Sequence, residues 1–260
     1  MVIVPRLIAL DDGHGIDTPG KRTPFIPEIG MSIHENEFNR AVVNFLKIEL
    51  ERCGFDTLLV APTDVDTSLQ QRTDLANSRN ADAYISVHYN AFDGTFSGED
   101  ASGIEIFVYN GDLNNESGKL ANAVAKYLRE GTVQNFRGVK EENFHVLRET
   151  NMIAILTENG FMDNKREALL MIDRAFQMEV AVEHAKGICE YFNVAYVPAP
   201  VPGGTGFNDV PNDLYSATAI KRAKDLGLLE GYPNGNFGPN DSLKRGDFAL
   251  VLMRLYDLLK

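Results

Sequence analysis

Strand-like and helix-like segments alternate along the first three quarters of the chain. Short apolar runs indicate strands, and apolar residues spaced three or four apart indicate helices. The predicted strands lie at residues 6–10, 55–61, 83–88, 103–109 and 152–158, and the predicted helices at 35–53, 68–79, 117–130 and 165–192. This alternation predicts an α/β domain whose mostly parallel sheet is covered by helices on both faces.

An uncharged segment separates this region from the rest of the chain. Residues 197–206, VPAPVPGGTG, contain three prolines and three glycines, a composition typical of a linker. Beyond it, residues 213–231 and 244–260 predict two helices joined by a turn-rich loop. We therefore predict a catalytic domain at 1–196, a Pro/Gly linker, and a small all-α domain at 207–260.

Composition excludes several classes of partner. The net charge of −12 argues against nucleic acid or an anionic membrane surface as a partner. No apolar run has the length of a membrane span, and the first residues lack the features of a signal peptide. We therefore expect synthesis in the cytoplasm. Cys53 and Cys189 match neither a metal-binding nor a disulfide pattern, and we expect both to be buried as small apolar residues.

Two predicted strands each deliver a histidine. His14 follows the first strand within DDGHG, where Gly13 and Gly15 leave the backbone free to turn sharply. His88 ends the run AYISVH. Either histidine alone would be unremarkable. The carboxyl ends of parallel strands meet at one edge of a sheet, where ligands bind, so we expect the two imidazoles to share a site.

Glutamates occur at two comparable places. Glu35 and Asn39 lie four residues apart at the start of the first helix, so they share a helix face. A glutamate in a first turn is also favoured by the helix dipole alone, and Glu28 and Glu37 are alternatives for the same role. Glu158 ends the strand-like run MIAILTE, where a carboxylate is well placed to act as a general base.

These residues together fit a zinc hydrolase. Such enzymes bind the metal through three nitrogen or oxygen ligands and leave one position for water. A separate carboxylate then moves the proton of that water. His14, Glu35 and His88 are the candidate ligands and Glu158 is the candidate base, with the choice among the three glutamates still open at this point.

Several motifs resemble those of the zinc-dependent N-acetylmuramoyl-L-alanine amidases of the AmiC/CwlV type, the amidase 3 family. The matching motifs are D-x-GHG at Asp11–Gly15, E-x-x-x-N at Glu35–Asn39, R-x-x-x-AN at Arg72–Asn77, S-x-H-x-N-A at Ser86–Ala91 and E-x-GF-x-x-N at Glu158–Asn164. The resemblance spans roughly residues 6–192 and selects Glu35 among the glutamates. It implies one zinc ion held by His14, Glu35 and His88, with Glu158 catalytic.

The resemblance also implies a reaction and a substrate. The family hydrolyses the amide bond between N-acetylmuramic acid and L-alanine in peptidoglycan. Asn90 is a candidate for positioning the substrate, and Arg72 is a candidate for the same role or for pairing with a nearby carboxylate. The alternatives are a zinc peptidase acting within the stem peptide and a non-catalytic cell-wall-binding protein.

The segment of residues 16–34 resembles the corresponding insert of phage-encoded members of this family. It predicts an endolysin that reaches the cell wall through a membrane pore at lysis. The alternative is a secreted host autolysin whose signal has been removed. Of the other histidines, we expect His34 and His145 at the surface and His184 on the polar side of the helix at 165–192.

The C-terminal region resembles a single S-layer-homology motif. The matching pieces are FNDV at 207–210, GLLEGYPNGNFGPN at 227–240 and LKRGDF at 243–248. The resemblance implies binding to a secondary cell-wall polymer of a Gram-positive host, with Arg245 gripping an acidic group. Such motifs usually occur three in tandem, so one motif per chain predicts a homo-oligomer held together by the C-terminal domains.

Overall fold

The computed structural model describes residues 5–96, 98, 101–199, 204–211, 214 and 216–258. The chain divides into two compact units, Met1–Tyr196 and Val197–Lys260. Four residues of the predicted linker, 200–203, lie outside the described residues.

The first unit follows the predicted alternation of strands and helices. Its strands are β1 (Leu7–Asp11), β2 (Asp56–Leu59), β3 (Ala83–Asn90), β4 (Ile104–Val108), β5 (Phe136–Glu141) and β6 (Ile153–Phe161). Its helices are α1 (Glu35–Arg52), α2 (Leu69–Ser78), α3 (Glu116–Gly131), α4 (His145–Arg148), α5 (Lys165–Leu170) and α6 (Arg174–Tyr191).

The six strands form one sheet in the order β2-β1-β3-β6-β4-β5. All neighbouring pairs are parallel except β4 and β6, so the β4–β5 pair runs opposite to the other four strands. The prediction of a mostly parallel sheet is therefore confirmed. The register places His88 of β3 beside Glu158 of β6, and Glu158 beside Glu105 of β4.

The two faces of the sheet are covered unequally. One face packs against the long helices α1, α3 and α6 and carries the larger apolar cluster. The other face carries a smaller cluster to which α2 and the short α4 contribute. Because side chains alternate between faces along a strand, His88 and Glu158 project from this less covered face. Both faces carry helices, as predicted.

Three local features differ from the prediction. Strand β5 and helix α4 were not anticipated. Strands β3 and β6 continue past His88 and Glu158, so these two residues lie inside strands near their carboxyl ends. The helix predicted at 165–192 is two helices, because the Asp173 side chain accepts hydrogen bonds from the N–H groups of Ala175 and Phe176 and starts a new helix.

His184 is buried, and its prediction on the polar side of a helix is wrong. Helix α6 packs against both α1 and α3, so a wider part of its surface is buried than in a helix with one partner. The Nδ1 atom of His184 lies 2.7 Å from the Val180 carbonyl oxygen, and its Nε2 lies 2.9 Å from Oγ1 of Thr157. A carbonyl only accepts, so Nδ1 carries the proton and Nε2 accepts from the Thr157 hydroxyl.

The two cysteines and the two remaining histidines lie as follows. Cys53 and Cys189 are both buried. His34 and His145 are half-buried rather than exposed, and His34 precedes the first residue of α1. No helix within the described ranges is both long enough and apolar enough to cross a membrane.

The second unit contains the two predicted helices, α7 (Ala217–Asp225) and α8 (Arg245–Leu258). A small apolar cluster holds α7 to the preceding segment. Its members are Val210, Ala217 and Ile220, with Phe207, Leu214 and Phe237 packed against them. None of the described residues of α8 is buried.

Because His184 is buried, the free energy of unfolding depends on pH. Burial lowers the pKa of His184 from 6.5 to about 4, so the unfolded chain binds a proton between these values and the folded chain does not. Stability should therefore be complete above pH 6.5 and should fall as the pH drops through this window. Urea unfolding in the presence of a chelator should show wild type losing about 2 kcal/mol more than His184→Gln between pH 7 and pH 5. Equal losses for the two proteins would contradict this assignment.

Candidate metal centre and active site

The loop after β1 is shaped to present His14. His14 has a positive φ of 59°, which costs about 1–2 kcal/mol for a residue with a side chain. The Asn36 side-chain amide holds this conformation by donating to the carbonyl oxygens of Asp12, Gly13 and His14 at 3.0–3.1 Å. A Cβ on Gly13 would lie 2.4 Å from Cε1 of His88, so only glycine lets this loop approach the imidazole of β3 so closely.

Glu35 lies between the two histidines at the N-terminus of α1. Its Oε1 is 2.9 Å from Nδ1 of His88, and its Oε2 is 3.5 Å from Nε2 of His14. One ligand atom from each of the three residues lies within 4.8 Å of the others. Asn39 donates its amide to Oε1 of Glu35 at 3.2 Å, which gives a structural reason for the four-residue spacing.

The two alternative glutamates lie elsewhere. Glu37 accepts the backbone N–H of His34 at 2.7 Å and thereby caps α1. Glu28 pairs with Lys165 at the surface. The structure therefore brings together the residues selected by the family resemblance and no other glutamate of the first helix or its preceding loop.

The electrostatics of the cluster favour a bound cation. Burial alone would raise the pKa of Glu35, but the hydrogen bond and charge of His88 lower it to about 2, so Glu35 is an anion. Burial lowers the pKa of His14 to about 4, which keeps its imidazole neutral and able to ligate. Oε2 of Glu35 is buried and accepts no hydrogen bond from any described residue. Two imidazoles and a carboxylate with a spare oxygen are a donor set that suits zinc.

Glu158 lies next to this cluster. It is partly exposed, yet its Oε2 is buried and has no hydrogen-bond partner among the described residues. Burial raises the pKa of Glu158 to about 8; the nearby His88 opposes this shift and the negative charge of Glu35 adds to it. A carboxyl group with such a pKa both accepts and releases a proton near neutral pH, as a general base and acid must.

Arg72 is buried behind the His14 loop rather than exposed. It donates to the carboxylate of Asp11 and, at 3.0 Å, to the carbonyl oxygen of His14. Asp11 also accepts from the hydroxyls of Tyr84 and Ser86 at 2.9 and 2.8 Å. Arg72 therefore pairs with a nearby carboxylate and fixes the end of β1, although it also lines a cavity of about 310 Å³ beside His14 and His88.

The other predicted positions are more exposed. Asn90 is half-buried on β3, and its side-chain amide donates to Oε2 of Glu105 at 3.0 Å. Arg245 is the first residue of α8 in the second unit and is exposed. Neither placement by itself assigns a substrate or a polymer to these residues.

Several charged residues at the site were not predicted from the sequence. Nζ of Lys21 lies 3.6 Å from Oε2 of Glu35, and its carbonyl accepts the N–H of Glu35 at 3.0 Å. Glu105 accepts hydrogen bonds from Arg137 and Lys140 of β5. Lys21 lies in an irregular insert, and the other two basic residues lie on the strand that was missed. The sequence held one sign of the basic pair: in the segment RGVK, residues 137–140, two basic residues lie three positions apart.

Comparisons with known proteins find matches for both units of the chain. The family model described as N-acetylmuramoyl-L-alanine amidase matches residues 8–190, and that of the S-layer homology domain matches residues 206–249. The chain is 34% identical over 188 residues to the N-acetylmuramoyl-L-alanine amidase CwlM of Bacillus licheniformis, covering 72% of this chain and 69% of that protein. It is 32% identical over 194 residues to the endolysin of Bacillus phage SPP1, covering 73% of this chain and 67% of that protein.

A solved structure shares the fold. The catalytic domain of the amidase CwlV from Bacillus (Paenibacillus) polymyxa var. colistinus matches with a TM-score of 0.63 and 29% identity, over 73% of this chain and 99% of that one. The family model covers well over half of the chain, including all five motifs and almost all of the sheet that carries them. The chain therefore belongs to the N-acetylmuramoyl-L-alanine amidase family, the peptidoglycan hydrolases of the amidase 3 type, and carries an S-layer homology domain after its catalytic domain.

Proposed function

We propose that this amidase depends on one zinc ion, held by His14, Glu35 and His88, and that Glu158 is its catalytic acid and base. The observation that carries the proposal is the cluster itself. Three donor atoms lie within 4.8 Å of one another around a buried carboxylate oxygen that has no hydrogen-bond partner in the described structure. Such an orphaned oxygen is costly unless a cation satisfies it.

Bound zinc supplies a Lewis acid and lowers the pKa of water to about 7. The protein's own residues supply the remainder of the chemistry. Glu158 takes the proton of the attacking water and passes it to the nitrogen of L-alanine as the bond to the lactyl carbonyl breaks. The products are a glycan with a free lactyl carboxylate and a peptide with a free amino terminus.

The alternative functions are less well supported. A metal and a carboxylate would serve a bond within the stem peptide equally well, so the choice of the muramoyl amide rests on family membership. A non-catalytic wall-binding protein has no need of His14, Glu35, His88 and Glu158 in one cluster. Neither alternative has an observation of its own in its favour.

The first experiment removes the proposed proton carrier. Purified peptidoglycan is digested with the zinc-loaded protein, and the products are identified by mass spectrometry. Wild type should release peptides that begin with L-alanine, and Glu158→Gln should do so at least about 100-fold more slowly because no carboxylate then moves the proton. Chelation should abolish the wild-type activity, and added zinc should restore it.

Glu183→Gln is the matched control. Glu183 is a buried glutamate whose pKa burial raises to about 8, as it does that of Glu158, but Glu183 lies on α6. Its variant should retain wild-type activity. Products cut within the stem peptide would contradict the amidase assignment, and full activity of Glu158→Gln would contradict the role of Glu158.

A second experiment tests the metal site through its backbone. Gly13→Ala places a Cβ against the His88 ring at a φ of +40°, whereas Gly20→Ala also has a positive φ, +79°, but meets nothing within 4 Å. Gly13→Ala should lower the zinc affinity at least about tenfold, as removal of supporting contacts does in other metal sites, and Gly20→Ala should not. Competition with a chromophoric chelator measures the affinity. Equal affinities for the two variants would contradict the assigned ligands.

For the second unit we propose retention at the cell wall. The S-layer homology match supports binding to an acidic secondary wall polymer, and the exposed Arg245 offers a guanidinium for a carboxylate of that polymer. The relatives include a sporulation-specific amidase of Bacillus subtilis as well as a phage endolysin, so the endolysin role stays a prediction from the insert at 16–34.

We also propose that the C-terminal units associate. Helix α8 buries none of its described residues; Val251 is half-buried, and the other large apolar side chains of the helix are exposed. They include Phe248, Leu250, Leu252, Met253 and Leu255. Sedimentation velocity should show an oligomer, and Leu250→Glu with Met253→Glu should shift it to the monomer because charges do not tolerate burial in an interface. A wild-type monomer at assay concentrations would contradict the proposal.

A further inference from the structure

The row of polar residues does not end at Glu158. His88 on β3, Glu158 on β6 and Glu105 on β4 are direct neighbours in the register of three adjacent strands. Residues directly opposite one another in a sheet project from the same face. The outermost strand, β5, adds Arg137 and Lys140, whose side chains both donate to Oε1 of Glu105.

A β-bulge brings the two basic residues to one face. Arg137 and Lys140 are three residues apart, so in a regular strand they would project from opposite faces. The pairing of β5 with β4 shifts by one residue between Phe136 and Val139, and Gly138 within the shift has a φ of 110°. The extra residue turns Lys140 to the face of Arg137, as bulges do near active sites.

The charges of Glu105 and its two basic partners do not cancel. Glu105 is buried, and although burial alone would raise its pKa, Lys140 and Arg137 hold that pKa below its ordinary value. One anion thus faces two cations. The cations are 40% and 41% exposed, so a surplus of one positive charge faces solvent in a chain whose net charge is −12.

Both cations keep donors available and are held in place. Among the described residues, the side-chain Nζ of Lys140 donates one hydrogen bond, to Glu105. Arg137 uses Nε for Glu105 and Nη1 for the carbonyl of Ser102, which leaves Nη2 without a partner in the described structure. The guanidinium of Arg137 also lies 5.2 Å from the centre of the Phe161 ring. Anchored donors of this kind bind a carboxylate with little loss of side-chain entropy.

We propose that Arg137 and Lys140 form a subsite for a carboxylate of the stem peptide, on the leaving-group side of the scissile bond. The inference rests on the proposed function, because Glu158 protonates the leaving nitrogen and therefore faces the peptide. Along the sheet edge the metal ligands lie on one side of Glu158 and the basic pair lies on the other. The peptide that departs past Glu158 meets the basic pair next.

The substrate carries a carboxylate at a suitable place. Where the residue after L-alanine is a D-glutamate joined through its side chain and not amidated, its α-carboxylate is free. Extended chain spans about 3.5 Å per residue, which places this carboxylate about 7 Å from the scissile nitrogen. Neighbouring strands are about 4.8 Å apart, so β5 lies about 10 Å from β6 and its long side chains reach back across that gap.

The experiment pairs a variant with a change in the substrate. Two soluble muramoyl peptides are compared, one with the free α-carboxylate on the second residue and one with its carboxamide. We expect Lys140→Gln to lower kcat/KM about tenfold on the carboxylate, mainly through KM, and to stay within about twofold of wild type on the carboxamide. The wild-type preference for the carboxylate should shrink as the salt concentration rises.

Two further variants sharpen the result. Lys140→Gln leaves Arg137 and Asn90 on Glu105, so the buried carboxylate keeps partners, and thermal unfolding checks that the fold survives. Arg137→Gln should show the same substrate-dependent loss. Lys126→Gln is the matched control because Lys126 is a half-exposed lysine of α3 that also pairs with a glutamate, Glu190, and its variant should leave both rates unchanged.

Three outcomes would overturn the inference. Equal losses of kcat/KM on both substrates would mean that Arg137 and Lys140 support Glu105 and do not form a subsite. Equal wild-type rates on the carboxylate and the carboxamide would mean that this charge is not recognised, while the amidase assignment would stand. No cleavage of either substrate by the zinc-loaded wild type would overturn the proposed function, and the inference with it.

Discussion

The first unit of the molecule, Met1–Tyr196, is organised around the buried carboxylate of Glu35. A buried anion is destabilising unless its surroundings compensate it. His88 lies 2.9 Å from one of its oxygens, the backbone N–H of Tyr89 donates to that oxygen at 3.2 Å, and the start of α1 adds the favourable end of a helix dipole. The other oxygen lies within 4 Å of the basic nitrogens of His14 and Lys21 and accepts no hydrogen bond from the described residues. The fold thus places an incompletely satisfied anion between two imidazoles, which is the electrostatic condition for holding a dication.

The neighbouring contacts follow from that position. His14 reaches Glu35 only because the loop after β1 turns with a positive φ, and Asn36, the next residue of α1, holds the three carbonyls of that turn. Behind the loop, the buried ion pair of Arg72 and Asp11 joins α2 to the end of β1. A buried pair of this kind contributes little net stability but is strongly destabilising when broken, so its main effect is to fix the geometry of the loop.

The sequence predicted most of the sheet, because strands buried on both faces are nearly continuous apolar runs. Its short local motifs also pointed to His14, Glu35, His88 and Glu158, which the structure brings into one cluster, while their roles as ligands and proton carrier stay a prediction. Prediction from the sequence failed for residues whose position in the structure depends on tertiary contacts. Strand β5 was missed because the bulge at Gly138 removes the alternation by which strands are recognised. His184 was misplaced because α6 has two helical neighbours. Lys21 lies in an insert without periodicity, so nothing local indicated that it approaches Glu35.

The order of strands in the sheet explains why the spatial arrangement of the charges could not be read along the chain. In the sequence, Glu105 and the basic residues of β5 come before Glu158. In the sheet, β6 inserts between β3 and β4, so Glu158 lies between His88 and Glu105. This crossover separates a carboxylate-and-imidazole end suited to a cation from a guanidinium-and-ammonium end suited to an anion, with Glu158, the proposed proton carrier, between them. For a reaction that releases an amine from an anionic peptide, that order places each group of the substrate beside the protein charge that complements it.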